Sequence, residues 1–547
     1  MVFLMFFFFL LVLFNNEIIS QYKSIHQTEY EYYSKHYNEE FFKEYEIKSN
    51  LPINFGHRDK NCQLNKIVFG WHPYWCNGLE SNYDWSLLTD LCYFGYSVDP
   101  STGNPNSTYN WSTVNVVTQA LAQGKRVSLC VILFSDHSTF FNSSSAQQTL
   151  INNLINLIQS RGAHGVNIDF EGVPASLKTQ YMNFLVNLSN QFHSAIPGSI
   201  VSIALPSVDW SNVYDIQLLK NYIDLFVIMG YDYYYSGSSQ AGPTSPLYSL
   251  TSTFNYNINR SIIYYLNAGV PPNKLVIGLP YYGYDWPTSS NSIPSNTIGT
   301  GSSRTYKTVR NNSNGYYSSS NKGFNMNSYV PYYIYHNGTE WRQCWIDDAY
   351  SFGKKLELVH KFGIAGIGIW ALGYDDGYPD LWNKIEEKLT TCFKWNCNDT
   401  LYDSGGPAWN YYNNENYSFT LFNPSAYKIR LNFQEFSTEE NNDVLKIYDG
   451  ASTNSPLLGS FSGTNSPGTI TSSQQYLTLK FSSNSATTSY GWRAILQCIQ
   501  DNEPPTTSIS VQQEWITTNF TANFTDTDNV GIEKSFYQVL DFDGQYW

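Results

Sequence analysis

The chain has 547 residues, with 31 Lys+Arg against 45 Asp+Glu and a formal net charge of −14. An acidic chain with no basic stripe repels phosphate backbones, which argues against nucleic acid as a partner. Aromatic residues reach 17%, with 45 Tyr and 15 Trp; larger cores and a Tyr- and Asn-rich bias account for this first, and surfaces that stack on flat sugar rings second.

The opening run "MVFLMFFFFLLVLF" has signal-peptide length and is too short for a comfortable membrane span. Residues 1–20 therefore read as a signal peptide, with Ser20 before Gln21 as a cleavage point. No Lys or Arg precedes the run, which leaves an uncleaved anchor open. No later run reaches spanning length, so the expected location is secreted or cell-surface. Residues 21–61 are polar, charged and aromatic without a clean period and read as a linker or a peripheral helix.

From 62 to 392 short apolar runs alternate with helix-like stretches. The runs are "KIVFGWHPYW", "LCYFGYSVD", "RVSLCVILF", "GVNIDFE", "IVSIALPSV", "IDLFVIMGYD", "KLVIGLPYYGYDW" and "GIAGIGIWALGYDDG". Runs buried on both faces and joined by helices mean a parallel sheet. Eight of them predict an α/β fold, a (β/α)8 barrel with an insertion before the last strand, at about 287–345. A doubly wound open sheet is the alternative, but "WHPYW" after the first run is not the Gly-rich phosphate turn that such sheets carry. Residues 397–498 lose helical signals and alternate as "YSFTLF", "YKIRLNF", "VLKIYDG" and "YLTLKF", which predicts an all-β sandwich. Residues 503–547 read as a further, partial β module.

Eight cysteines fit an exported chain. Cys92 and Cys130 lie inside strand-like runs and are expected as buried thiols. Cys397 and Cys498 bracket one segment and are expected to pair. No His/Cys cluster has the spacing of a zinc site.

Barrel sites form at the carboxyl ends of strands. Asp169 and Glu171 end the fourth run, Asp209 and Trp210 follow the fifth, Tyr231 and Asp232 end the sixth, and Trp370 ends the eighth. In "GVNIDFEG", alternation puts Asn167, Asp169 and Glu171 on one face of a strand. Buried carboxylates are unfavourable without partners, and a coupled pair is what acid–base chemistry uses: one stays ionised while the other holds its proton.

"HGVNIDFEG" resembles the DxxDxDxE signature of family 18 glycoside hydrolases, the chitinase family, and the likeness runs from about 64 to 390. The resemblance implies a (β/α)8 barrel and a retaining, substrate-assisted mechanism, in which the substrate's own acetamido oxygen attacks the anomeric carbon. It implies Glu171 as the proton donor, Asp169 as the group that orients the N-acetyl group, and Tyr231 as the hydrogen-bond donor to the acetamido carbonyl. Asp232 in "IMGYD" would line the sugar subsite, Met229 would pack beneath it, and Trp370 would form its floor. The signature's first two acids are His164 and Asn167 here. His164 is expected in a structural role, and Asn167 is expected near the substrate, able to donate a hydrogen bond to Asp169. "GVNIDFE", "WIDDAYS" and "GIWALGYD" look most like the bacterial branch that includes spore-germination hydrolases, where Asn at this position is normal.

Chitin or its oligosaccharides is the leading expected substrate. The rivals are a peptidoglycan N-acetylglucosaminidase, a chitin-binding lectin without catalysis, and an adhesion scaffold. No cofactor is expected for hydrolysis. Residues 397–498 resemble a CUB domain, with "IYDG" the most specific piece; Glu439 and Asp443 match two of the calcium-binding positions of such domains, while Asn484 stands at the third. Residues 503–547 resemble part of an immunoglobulin-like module.

Overall fold

The computed structural model describes residues 23–36, 61–501, 503–510 and 521–528. The signal-peptide reading of residues 1–20 lies outside the described residues. Eight parallel strands close into a barrel: β1 (Ile67–Pro73), β2 (Asp90–Val98), β3 (Arg126–Leu133), β4 (Gly165–Phe170), β5 (Ile200–Pro206), β6 (Leu225–Met229), β7 (Leu275–Pro280) and β8 (Gly366–Trp370). The pairing of β1 with both β2 and β8 closes the ring. A short strand, Pro105–Ser107, adds antiparallel to β2. The strands are buried almost throughout, which is why they read as continuous apolar runs. Close interior packing uses glycine: a Cβ on Gly278 would lie 2.6 Å from the Ile228 carbonyl oxygen and 3.5 Å from the Trp71 ring. The space that a side chain there would need is taken by the Ile228 carbonyl of the neighbouring strand.

The insertion is a five-stranded antiparallel sheet, ordered Ser302–Thr305, Tyr282–Thr288, Trp341–Trp345, Val330–His336, Lys322–Asn325. It starts a few residues earlier than the sequence suggests, because "YGYDWPT" is its first long strand and not a tail of β7. A disulfide joins Cys62 to Cys392 and so ties the start of the barrel to its end.

A helix does form within residues 21–61: α1 spans Ile25–His36. It is not peripheral. Its first turns are buried, with Ile25, His26 and Glu29 all inside, because they enter the barrel mouth.

After Phe393 the elements among the described residues are all strands. Two four-stranded sheets are ordered Thr400–Tyr402, Gly491–Ile499, Lys428–Ser437, Thr469–Thr471 and Asn416–Phe422, Tyr476–Ser482, Val444–Tyr448, Leu457–Phe461. Burial alternates along Asn416–Phe422, as a half-exposed sandwich strand requires. Cys397 and Cys498 are bonded, while Cys92 and Cys130 are buried thiols. Of residues 503–547, two paired strands are described, Thr506–Ser510 and Asn523–Thr527. Among the described residues no helix is long and apolar enough to cross a membrane.

Candidate active site

The site stands at the carboxyl ends of β4, β6 and β8. Asp169 lies on β4, fully buried, and Glu171 follows the strand end with its amide on the Leu133 carbonyl. Tyr231 and Asp232 follow β6, and Asp232 adopts a positive φ of 58°, a conformation that a short polar side chain tolerates. Trp370 ends β8. Met229 is buried at the end of β6.

One side chain from outside the barrel stands among all of them. The His26 ring lies flat on Trp370, with centroids 3.6 Å apart and planes 28° apart. Its Nδ1 is 2.7 Å from Asp169 Oδ2 and 3.6 Å from Glu171 Oε1, and its Nε2 is 2.8 Å from the Tyr231 hydroxyl. The Ile25 amide donates to Asp232 Oδ2 at 2.9 Å, while the Tyr282 and Tyr284 hydroxyls donate to Asp232 Oδ1. Ser24 lies near enough to Glu171 to favour its charged form, and its hydroxyl accepts from the Gln27 amide at 3.0 Å. Further along the helix, Glu29 Oε2 accepts from Trp370 Nε1 at 3.2 Å and from the Tyr374 hydroxyl at 2.7 Å. Tyr33 stacks on Trp75 at 4.5 Å and 12°.

Burial dominates the electrostatics. It lifts the Asp169 carboxyl to about 8. Burial and then the neighbouring Asp169 charge lift Glu171 to about 8, against the pull of His26 and Ser24. Asp232 is raised to about 6 by burial, less strongly because Tyr282, the Ile25 amide and Tyr284 all donate to it. His26 is lowered to about 4 by burial, so at neutral pH it is uncharged, and one ring nitrogen donates while the other accepts. The pair Asp169–Glu171 therefore keeps a proton near neutrality, as a general acid needs.

Asn167 differs from expectation. It does not donate to Asp169. Its amide donates to the Ser202 hydroxyl at 2.9 Å and its carbonyl accepts from Trp71 Nε1 at 3.0 Å. Asn167 is wholly buried, so it braces the strand beneath the carboxylates. His164 accepts the Val127 amide at 3.0 Å, a structural role. Trp210 is 71% exposed and packs edge-on against Tyr256. In the second β region Glu439 and Asp443 share one turn, where the Asp443 amide donates to the Glu439 carbonyl at 3.1 Å and Asp443 is buried.

One atom each of His26, Asp169 and Glu171 lies within 4.8 Å of the others. These donor types suit a divalent ion, although both His26 nitrogens already have hydrogen-bond partners.

The family model for glycosyl hydrolases family 18 matches residues 134–375, and that for the CUB domain matches residues 393–495. The chain carries a family 18 catalytic domain followed by a CUB domain. The cortical fragment-lytic enzyme of Bacillus cereus is 23% identical over 325 residues, 56% of this chain and 69% of that protein. Mouse chitotriosidase-1 is 24% identical over 257 residues, 43% of this chain and 54% of that protein. The Ostrinia furnacalis Group IV chitinase superposes with a TM-score of 0.52 at 21% identity, covering 59% of this chain and 98% of that one, which supports the barrel fold. The matched part spans 69% and 54% of the length of these two curated relatives.

What the sequence did not mark is the burial of α1 in the barrel mouth. Ile25, His26, Glu29, Tyr30 and Tyr33 do share helical i, i+3, i+4 spacing, but the buried stripe is polar and aromatic, so hydropathy gives no sign of it. Tyr282 and Tyr284, which continue the apolar run "KLVIGLPYYGYDW", belong to the insertion and not to β7.

Proposed function

We propose that the family 18 domain hydrolyses a glycan containing N-acetylglucosamine, with peptidoglycan-type cell-wall glycan ahead of chitin, by a retaining, substrate-assisted mechanism. The observation that carries the reading is the grouping of Glu171, Asp169, Tyr231, Asp232 and Trp370 around one flat ring. With a sugar in that position, Trp370 is the floor, and the Tyr231 hydroxyl donates to the acetamido carbonyl. Asp169 accepts the acetamido N–H and balances the charge that develops there. The acetamido oxygen bonds to the anomeric carbon as the glycosidic C–O bond breaks, and Glu171 passes its proton to the leaving oxygen. Water then opens the oxazolinium ring with Glu171 taking a proton back, so the anomeric configuration is retained.

The cell-wall preference draws on cortical fragment-lytic enzymes from Bacillus cereus, B. anthracis and B. subtilis among the relatives, and on the Asn167 variant of the signature. The chitinase relatives keep chitin as the second substrate. The two disulfides suit an oxidising, extracellular setting. Glu439 and Asp443 supply the hard oxygens that would hold calcium in the CUB domain, with no part in the hydrolysis. Parallel digestion of purified peptidoglycan fragments, chitin hexasaccharide and a glucan oligosaccharide tests the proposal. Cleavage of the first faster than the second, with none of the third, is expected; turnover of the glucan, which has no acetamido group, overturns it.

A further inference from the structure

The groups assigned to the sugar are already in use, and a single segment of the same chain uses them. Asp169, Tyr231 and Trp370 hold the His26 imidazole, Asp232 holds the Ile25 amide, and Glu171 Oε1 lies 3.6 Å from His26 Nδ1. We infer that residues 23–36 are a built-in occupant of the glycan cleft and keep the hydrolase latent until α1 withdraws. This rests on reading the mouth as the glycan site.

The first reason is steric. A ring stacked 3.6 Å above Trp370 fills the layer that a sugar ring would need, since carbon atoms in contact sit about 3.5–4.0 Å apart. The cover also runs along the cleft: Tyr33 lies flat on Trp75, and Tyr30 bonds Ser97 at 2.7 Å. Two aromatic platforms are thus closed together.

The second reason is electrostatic. The amino end of α1 points at the carboxylates, and its first amide is spent on Asp232. A helix amino terminus carries partial positive charge and suits that position.

The third reason is the cost of burial. Glu29 is a buried carboxyl that has found two donors on the barrel, Trp370 and Tyr374. A surface linker has no need to bury a histidine and a glutamate, whereas an occupant of a polar cleft must match its donors and acceptors. Twelve residues make a marginal helix alone. The order of α1 therefore comes from the cleft, and withdrawal should melt it.

Covalent attachment sets the segment against the glycan at an effective concentration on the order of mM. If the cleft is open in about one molecule in a hundred, apparent glycan affinity falls about a hundredfold.

The test compares the full chain with its His26→Ala/Glu29→Gln variant. Binding and turnover of an N-acetylglucosamine trisaccharide are measured, with and without a synthetic peptide of residues 23–36, together with hydrogen exchange over the same segment. Expected are slow exchange in the full chain, fast exchange in the variant, at least tenfold tighter binding and faster turnover by the variant, and reversal by the peptide. If both proteins turn over substrate equally fast, occlusion is overturned while the hydrolase reading stands. If neither cuts but the variant binds glycan more tightly, occlusion stands and the hydrolase reading fails. Fast exchange of residues 24–33 in the full chain overturns occlusion whatever the activity. Should the double variant not fold, Tyr33→Ala, on the less buried half of α1, gives the same comparison.

Discussion

His26 Nδ1 lies 2.7 Å from Asp169 Oδ2, although 143 positions separate the two residues in the chain. An aspartate on the inward face of a barrel strand needs a partner, and here the partner belongs to a helix that precedes the barrel. The same imidazole reaches the Tyr231 hydroxyl through its other nitrogen. Two groups expected to bind an acetamido sugar are thus bridged by one ring of the protein itself.

Glu171→Gln keeps the shape of the side chain and removes its proton. A positioned general acid contributes about 10²–10⁴-fold, so kcat on a natural glycan should fall by that range while the thermal midpoint stays within a degree or two of wild type. Steady-state kinetics beside a melting curve checks both.

The hold of α1 should depend on pH in a definite direction. Glu29 is raised from 4.5 to about 8, mainly by burial, with the Asp232 charge adding and Tyr374 and Trp370 opposing. A raised pKa favours the closed state fully below 4.5, and that contribution is lost as pH climbs towards 8. His26 is lowered to about 4, so its protonation opposes closure only below about 6.5, its free value. Between pH 6.5 and 8 Glu29 acts alone of the two, and the ratio of closed to open should fall by up to about tenfold per pH unit. Hydrogen exchange of residues 24–33 across that interval reads the ratio, and Glu29→Gln should reduce its slope, with Asp169 and Glu171, both raised to about 8 and facing His26, left to titrate.

Asn167→Ala should weaken the barrel more than the chemistry. It strands the Trp71 indole N–H in the interior, at about 1–3 kcal/mol, while the Ser202 hydroxyl keeps its bond to the Val166 carbonyl. Chemical denaturation should show the loss; a variant as stable as wild type would contradict the bracing role.

Cys62→Ser should lower barrel stability by about 2–5 kcal/mol, the usual range for a native disulfide. The bond spans 330 residues and joins the two ends of the barrel. The denaturation midpoint should drop without a change in KM.

The barrel is legible in the sequence because strands buried on both faces must be continuous apolar runs, and a row such as Asn167, Asp169, Glu171 stands out against them. The partners of that row are not legible. Asn167 turns to Ser202 because β4 and β5 pair Asn167 with Ser202 in register, and register is not written in either strand alone. Cys62 finds Cys392 only once the ring has closed. α1 escapes notice because the face it buries, His26 and Glu29 among them, is chosen to match a polar cleft and carries no apolar stripe.

In the proposed reaction the acetamido group of the substrate attacks the anomeric carbon, with Glu171 as acid. The most direct measurement is the anomer released first, followed by proton NMR on an N-acetylglucosamine oligosaccharide with the His26→Ala/Glu29→Gln variant and the same protein carrying Glu171→Gln. β-Anomer at the new reducing end is expected from the first and no product from the second. Release of the α-anomer, or unchanged cleavage with Glu171→Gln, would contradict it.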